Sequence, residues 1–192
     1  MDQRLIRLIV LGVTGLFLLI MGISLITGYN GLVDMDENID AKYAQVENRL
    51  QERYDKIGQV LGAVNGLQQH AETIYNAITA ARAAYAAAAS MEDLIEADAA
   101  QAVAFTQVLL VVEDNPNITA TVGYVALIDE ISSIESALSV ARRDYNEAVQ
   151  AYNSAVRRFP RVLYASLFGF ERNQAYWKLG DGADEVPVIV FD

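Results

Sequence analysis

Cysteine is missing from this 192-residue chain altogether, and histidine occurs once. The first absence excludes disulfides, zinc–thiolate centres, thiol nucleophiles and iron–sulfur clusters, and also an acylated lipoprotein anchor. It does not choose a compartment, because a chain without thiols is tolerated on either side of a membrane. The single histidine removes most metal and triad chemistry. A di-iron bundle needs inward-facing Glu-x-x-His pairs, but three residues before His70 stands Leu67. His70-x-Glu72 is not ligand spacing on one helix face, so His70 reads as a surface residue. A catalytic triad would have to rest on that histidine alone, and there is no Gly-x-Ser-x-Gly elbow. No glycine-rich phosphate loop occurs. Basic residues are also scarce, 14 Lys and Arg against 25 Asp and Glu, for a net charge of −11. Nucleic acid, and anionic lipid met through a basic patch, both call for a cationic excess, so neither is expected.

What the chain has in quantity is apolar sequence at its start. No charge falls between Arg7 and Asp34, and Leu8 to Ile26 is mostly Leu, Ile, Val, Phe and Gly. That run meets the requirement of ~20 apolar residues for a membrane-spanning helix. A cleaved signal peptide has a shorter apolar region and an A-x-A-like site, neither of which is present. Arg4 and Arg7 precede the run, whereas Asp34, Asp36, Glu37 and Asp40 follow it. The positive-inside rule then keeps the short N-terminus cytoplasmic and puts the rest of the chain outside. Gly15 and Gly22 share a helix face, and Ser24 and Gly28 form a small-xxx-small pair. These four are the candidates for close packing within the membrane. The general abundance of glycine in membrane helices accounts for them more simply.

The next stretch carries a long rhythm. From Asn38 to Tyr85, apolar residues alternate at spacings of four and three: Ile39, Tyr43, Val46, Leu50, then Arg53, then Ile57, Val60, Val64, Leu67, Ala71, Ile74, Ile78, Ala81 and Tyr85. A period of 3.5 predicts one seam along a single helix beginning after Tyr29-Asn30-Gly31 and running roughly 70 Å at ~1.5 Å per residue. Asn65-Gly66 is the one place it could break, yet the seam keeps its phase there, so the expectation is a continuous rod with at most a kink. Ser90-Met-Glu-Asp93 has capping-box spacing with Asp in place of Glu. It opens a second helix, Met91 to about Val112, with Leu94, Ile95, Ala99, Ala102, Val103, Phe105, Leu109 and Val112 as its apolar set. Asn115 and Pro116 suit the start of a further helix. That helix repeats the first seam through Tyr124, Leu127, Ile131, Ile134, Leu138, Ala141, Tyr145, Ala148, Tyr152, Ala155 and Phe159 until Pro160 stops it. Long seams joined by a shorter apolar helix predict an antiparallel bundle.

Polar residues in or near the seams are the candidate functional positions. Arg53 occupies a seam position, and a buried guanidinium needs a carboxylate; Asp144 and Glu113 are the expected partners. With Arg142, Arg143, Asn146 and Asn153 they make up a predicted polar network fixing helix register. The plainer alternative is a solvated face with the arginine stem lying over apolar neighbours. Replacing Arg53 by Leu is expected to leave the bundle folded and to alter its assembly. Past Pro160 the texture turns aromatic. Residues 163–170 predict a short helix turning at Gly169, and Val186 to Phe191 form a short β-prone strip. Phe168, Phe170, Tyr176, Trp177, Val188 and Val190 are the candidates for partner binding, by strand addition at the end of the chain, a frayed tail being the alternative.

Taken together, several of these stretches resemble the LemA family. They are Tyr29-Asn-Gly-Leu-Val33, Val46 through Asp55, Ala80-Ala81-Arg82-Ala83, Leu109 to Glu113 with Pro116, Ala141 to Asn146, Tyr152-Asn153, Phe159-Pro160 and Gly169-Phe170. The resemblance implies a membrane-anchored, antiparallel all-helical bundle without established enzymatic activity, typically bacterial. It also implies an association with membrane proteases or magnetosome membranes. The chain departs from the family pattern at Glu52-Arg53, where paired arginines are usual, and at Gly58, where proline is usual. The first departure weakens any inherited basic site, and the second removes an expected kink.

The resulting expectation is an all-α protein. Residues 1–7 form a short cytoplasmic N-terminus, 8–28 a transmembrane helix, 29–170 a LemA-like helical bundle and 171–192 a short apolar C-terminal tail. Functionally it is expected to be a single-pass scaffold or adaptor of the bacterial inner membrane, with the bundle extracytoplasmic. It would be non-enzymatic and without cofactor or metal, self-associating through its heptad-patterned helices as a homo-oligomer. The alternative is an accessory subunit of a membrane enzyme such as a membrane protease. The lipid bilayer is the first partner in either case, and a membrane protein the second.

Overall fold

The computed structural model describes residues 3–64, 71–113 and 122–178. Five helices account for most of them: α1 (Gln3–Val64), α2 (Ala71–Ala87), α3 (Met91–Glu113), α4 (Val122–Arg157) and the single turn α5 (Val162–Ala165). A 3₁₀ turn, Ser166–Phe168, follows directly, and no strand occurs among the described residues. The expected all-α architecture is therefore observed. Asn115-Pro116, His70 and the strip with Val188 and Val190 lie outside the described residues.

Two boundaries differ from expectation. The first concerns the start of the rod. α1 is a single helix of 62 residues, so the apolar run and the first seam share one backbone without a break at Tyr29-Asn30-Gly31. A helical glycine costs only about 1 kcal/mol, which burial of the neighbouring Leu32 outweighs. The second is the end of the rod. On a straight helix Tyr54 and Tyr85 would stand about 46 Å apart at ~1.5 Å per residue, yet their rings lie 5.1 Å apart. Arg82 reaches back to donate to the Tyr54 carbonyl at 3.0 Å. α2 thus runs antiparallel to α1 and one continuous rod is ruled out, while Asn65-Gly66, the expected break point, lies outside the described residues. Phase kept across a turn carries no information, because a helix that restarts can rotate to present its seam to the same core.

The chain divides into two compact units. One comprises residues 43–145 and 175–178 as described. Its α1 and α4 portions run antiparallel, pairing Tyr43 with Tyr145 (6.0 Å between rings) and Lys56 with Glu130 (2.8 Å). Ile57, Ile78, Ala81, Ala104 and Ile131 from four helices form its apolar core, flanked by Leu127, Ile128 and Phe105. Alanines in that core let the helices approach closely. The α3 seam is not the one anticipated: Leu94, Ala97, Asp98, Gln101 and Ala104 are buried, while Ala99, Ala102 and Val103 are exposed. The inward face carries an Asp and a Gln, which disguises it in a search for apolar periodicity.

The other unit comprises residues 3–42 and 146–174. Leu32 and Ile39 of α1 are buried, as are Ala148, Val149, Tyr152, Ala155 and Val156 of α4, with Tyr164 and Ala165 beyond it. The predicted seam of α4 is therefore buried from Ile131 to Ala155, and it fails at Phe159, which is 79% exposed. Gly169 adopts φ 82°, a left-handed conformation open to glycine, and ends the 3₁₀ turn where expected. Phe170 N–H closes this turn on the Ala165 carbonyl at 2.9 Å, a Schellman-type closure.

Candidate functional site

Arg53 is 1% exposed, and its seam position on α1 points it at α3 and α4. It does find carboxylates, though not the anticipated ones. Its Nη2 donates to the Asp98 side chain and, at 3.0 Å, to the Asp98 carbonyl; its Nη1 donates to Glu135; and its Nε donates to Gln101 Oε1 at 3.0 Å. Arg142, one helical face along α4, donates to the same Asp98 oxygen and reaches Glu135 at 3.4 Å. The other oxygen of Asp98 accepts Trp177 Nε1–H at 3.2 Å. Asp98 is thus the hub of a cluster drawn from α1, α3, α4 and the segment after α5.

The cluster holds two guanidiniums and two carboxylates, so it is neutral as a whole. Asp98 and Gln101 are buried, and Glu135 alone opens to solvent, at 38%. Gln101 Nε2 and Arg142 Nε are buried without a hydrogen-bond partner. Ion pairs this deep are screened little by salt, and losing either partner strands a buried charge.

Of the other expected members, Arg143 is exposed and pairs with Asp144 at 3.1 Å on the solvent side of α4. Asp144 is therefore not the partner of Arg53, because successive residues on a helix point about 100° apart and Arg142 takes the inward place. The Glu113 side chain lies outside those described. Asn146, in the other unit, is half-buried. Asn153, within the other unit, is buried and grips backbone: its amide donates to the Asn173 carbonyl at 2.7 Å and accepts Asn173 N–H at 2.8 Å. In residues 43–145 and 175–178 the Tyr145 hydroxyl donates to the Ala175 carbonyl at 2.7 Å. Residues 173 and 175 are thus each tied down within their own unit, and the terminal strip, with its frayed-tail alternative, lies outside the described residues. Trp177, expected at a partner surface, is 3% exposed and serves Asp98 instead. Its buried indole N–H finds its acceptor there. Tyr176 is half-buried.

The residues expected to pack within a membrane separate into two pairs. Gly15 and Gly22 have open space where a side chain would be. Ser24 and Gly28 face their own chain: the Tyr164 hydroxyl donates to the Ser24 carbonyl at 3.3 Å, and a Cβ on Gly28 would fall 1.7 Å from the Tyr164 hydroxyl oxygen. The small-xxx-small pair therefore receives a tyrosine from the segment after α4. Phe168 and Phe170, the other aromatic candidates, stack edge-on against Tyr29 at 5.3 and 5.5 Å.

Gly58 admits another close approach. Arg82 Nη1 would lie 1.8 Å from a Cβ there, and the guanidinium sits 4.0 Å over the Tyr54 ring. At the start of α3 the capping box closes as spaced. Ser90 Oγ accepts Asp93 N–H at 3.1 Å, and Asp93 Oδ2 accepts the N–H groups of Ala89 at 3.0 Å and Ser90 at 2.9 Å. Those hydrogen bonds, the one from Ala89 foremost, hold the Asp93 carboxyl below its ordinary range. The Tyr43, Tyr85 and Tyr152 hydroxyls are pushed up, chiefly by burial and then by nearby acids, Glu47 for the first two and Asp36 for the third.

Among the described residues no group of His, Asp and Glu is arranged to hold a metal ion. The buried cluster joins helices and offers no nucleophile. These features define a class: all-helical proteins whose long first helix begins with a segment apolar enough to cross a membrane and whose bundle is locked by buried ion pairs. The sequence model of the LemA family matches residues 42–191, and the chain belongs to that family. No curated protein matches it significantly.

Proposed function

We propose that this LemA-family chain is a non-enzymatic scaffold or adaptor anchored in the bacterial inner membrane. Its N-terminus is cytoplasmic, its bundle is extracytoplasmic, and it acts on proteins and lipids without handling nucleic acid. The observation that carries this reading is the apolar sleeve of α1: Leu8, Leu11, Phe17 and Ile26 are each at least 60% exposed. So much apolar surface in one band has no stable place in water, and its length fits a bilayer. The sequestered chemistry of the Asp98 cluster supports a holding role. Self-association has less surface to draw on than the heptads suggest. Among the described residues, Ile39, Val46, Leu50 and Ile57 of the first seam and the α4 seam from Ile131 to Ala155 are spent inside the chain, and Ser24 and Gly28 receive Tyr164, so the open Gly15 and Gly22 face of the span is a remaining close-packing route between copies.

Carbonate washing tests the anchor: the chain stays with the membrane pellet, and its release would overturn the reading. A cysteine introduced by Glu92→Cys reports sidedness, labelling with an impermeant reagent in intact spheroplasts. Light scattering of solubilised protein gives the copy number, and a strict monomer would remove the oligomer. Co-purification from native membranes discriminates against the accessory-subunit alternative, which stoichiometric recovery of one other protein would favour.

A further inference from the structure

Directly after α4 the chain shows solvent a set of large apolar side chains that nothing in its own unit covers. Phe159 is 79% exposed, Leu163 70% and Leu167 80%, with Val162 beside them. In a water-soluble protein such a cluster is unfavourable. Its position relative to α1 says what covers it. Tyr164, between Val162 and Leu167, is hydrogen-bonded to the Ser24 carbonyl and seated on Gly28. Phe168 and Phe170 flank Tyr29, and the Arg161 guanidinium lies 3.2 Å from where a Cβ of Gly31 would be. The cluster is therefore docked beside residues 24–31, where the apolar sleeve gives way to the acidic part of α1.

We infer that residues 159–168 form an interfacial anchor, with Phe159, Leu163 and Leu167 seated in the lipid leaflet beside the end of the span. This inference rests on the membrane-anchor reading and adds a second, non-spanning point of attachment. Three observations meet in it. The segment bearing the exposed apolar cluster is docked at the end of the apolar sleeve, on Ser24, Gly28 and Tyr29. Tyr29, 40% exposed, supplies a ring body with a polar tip at the depth where aromatic residues gather in membranes, and Tyr164 fastens the segment to α1 there. Arg157, Arg158 and Arg161 bring positive charge to this place in an otherwise acidic chain, where long stems lie along apolar surface and guanidiniums reach phosphate headgroups. A segment of this composition seats its apolar side about 5–10 Å into the boundary between headgroups and acyl chains. The net charge of −11 hides this local excess.

The absence of native cysteine makes the test clean. Full-length Leu18→Cys, Leu167→Cys and Ser136→Cys variants, each carrying one environment-sensitive fluorophore, are reconstituted into phosphatidylglycerol–phosphatidylethanolamine vesicles. Quenching is then read with nitroxide lipids, shallow or deep, and with aqueous iodide. The inference expects Leu167→Cys to be quenched by the shallow nitroxide several-fold more than Ser136→Cys, and to be shielded from iodide. Leu18→Cys reports the span through the deep nitroxide. Iodide access at Leu167→Cys equal to that at Ser136→Cys, with Leu18→Cys still deep, overturns the interfacial anchor and leaves the span standing. Shielding from iodide without nitroxide quenching means that protein, such as a second copy, covers the cluster, which also overturns it. Iodide access at Leu18→Cys as well removes the span and the inference together. Leu167 is mostly exposed, so its replacement leaves the core untouched.

Discussion

Residues 43–145 and 175–178 hold their helices together with charge, whereas residues 3–42 and 146–174 do so with aromatic rings and gripped backbone. In the first unit Asp98 gathers Arg53, Arg142 and Trp177 into one buried cluster. In the second, Tyr164 settles on Ser24 and Gly28, and Asn153 holds Asn173 by both its backbone groups. The contrast follows from the two surroundings. An alanine-lined core has little side-chain bulk to set register, and a buried ion pair is satisfied in one register only. Beside an apolar sleeve, buried charge would be costly, and rings with polar tips serve better.

The comparison breaks first at Asp98. Asp98→Ala strands two buried guanidiniums with one half-exposed carboxylate and is expected to cost at least ~3–5 kcal/mol, read from denaturant unfolding in detergent. Arg53→Leu leaves Asp98 with Arg142 and Trp177, so it should cost less. A larger loss for Arg53→Leu would show that Asp98 is not the hub. In the other unit Asn153→Ala leaves the Asn173 N–H and carbonyl unmet, at about 1–3 kcal/mol. Its effect should appear as faster amide exchange at Asn173, with the Asp98 cluster unaffected. Gly28→Ala is expected to push Tyr164 off α1, raising the accessibility of that ring to chemical modification; unchanged accessibility would remove the tyrosine–glycine contact from the account.

Proton titration separates smaller contributions by sign. Asp93 is held below its ordinary range, so its contribution is present above about pH 4 and disappears as pH falls through the lowered value. Circular dichroism should show acid weakening at the start of α3, and Asp93→Asn should remove that dependence. Half-buried Tyr43 and Tyr85 and buried Tyr152 have raised values. Their contribution is intact below about pH 10 and is lost as pH climbs through the raised values. Smallest of all is the exposed Arg49–Glu52 pair at 2.7 Å, where Arg49→Ala should change stability by only about 0.2–0.5 kcal/mol.

Much of the fold could be read from residue spacing. The α4 seam from Ile131 to Ala155, the capping box at Ser90 and Asp93, the turn at Gly169 and the inward place of Arg53 all follow from local periodicity or local turn chemistry. Asp98, Gln101 and Glu135 could not be read that way, because an acid on a helix resembles a solvated face until its partner is known. The one available signal was the spacing Leu94, Ala97, Gln101, Ala104 on α3, a seam of small and polar members. Trp177 and Tyr164 were equally hidden, since each finds its partner more than seventy residues away.

By itself the sequence determined that the chain is helical, that its first segment is apolar enough to cross a bilayer, and that one arginine must be neutralised inside the bundle. These are local properties, set by side-chain pattern and the cost of burying charge. Only tertiary structure decided that α2 runs back along α1, that Asp98 receives both arginines, and that a tyrosine occupies the small-residue face of α1. Those outcomes depend on which distant surfaces meet, and a periodic pattern names a face without naming what covers it.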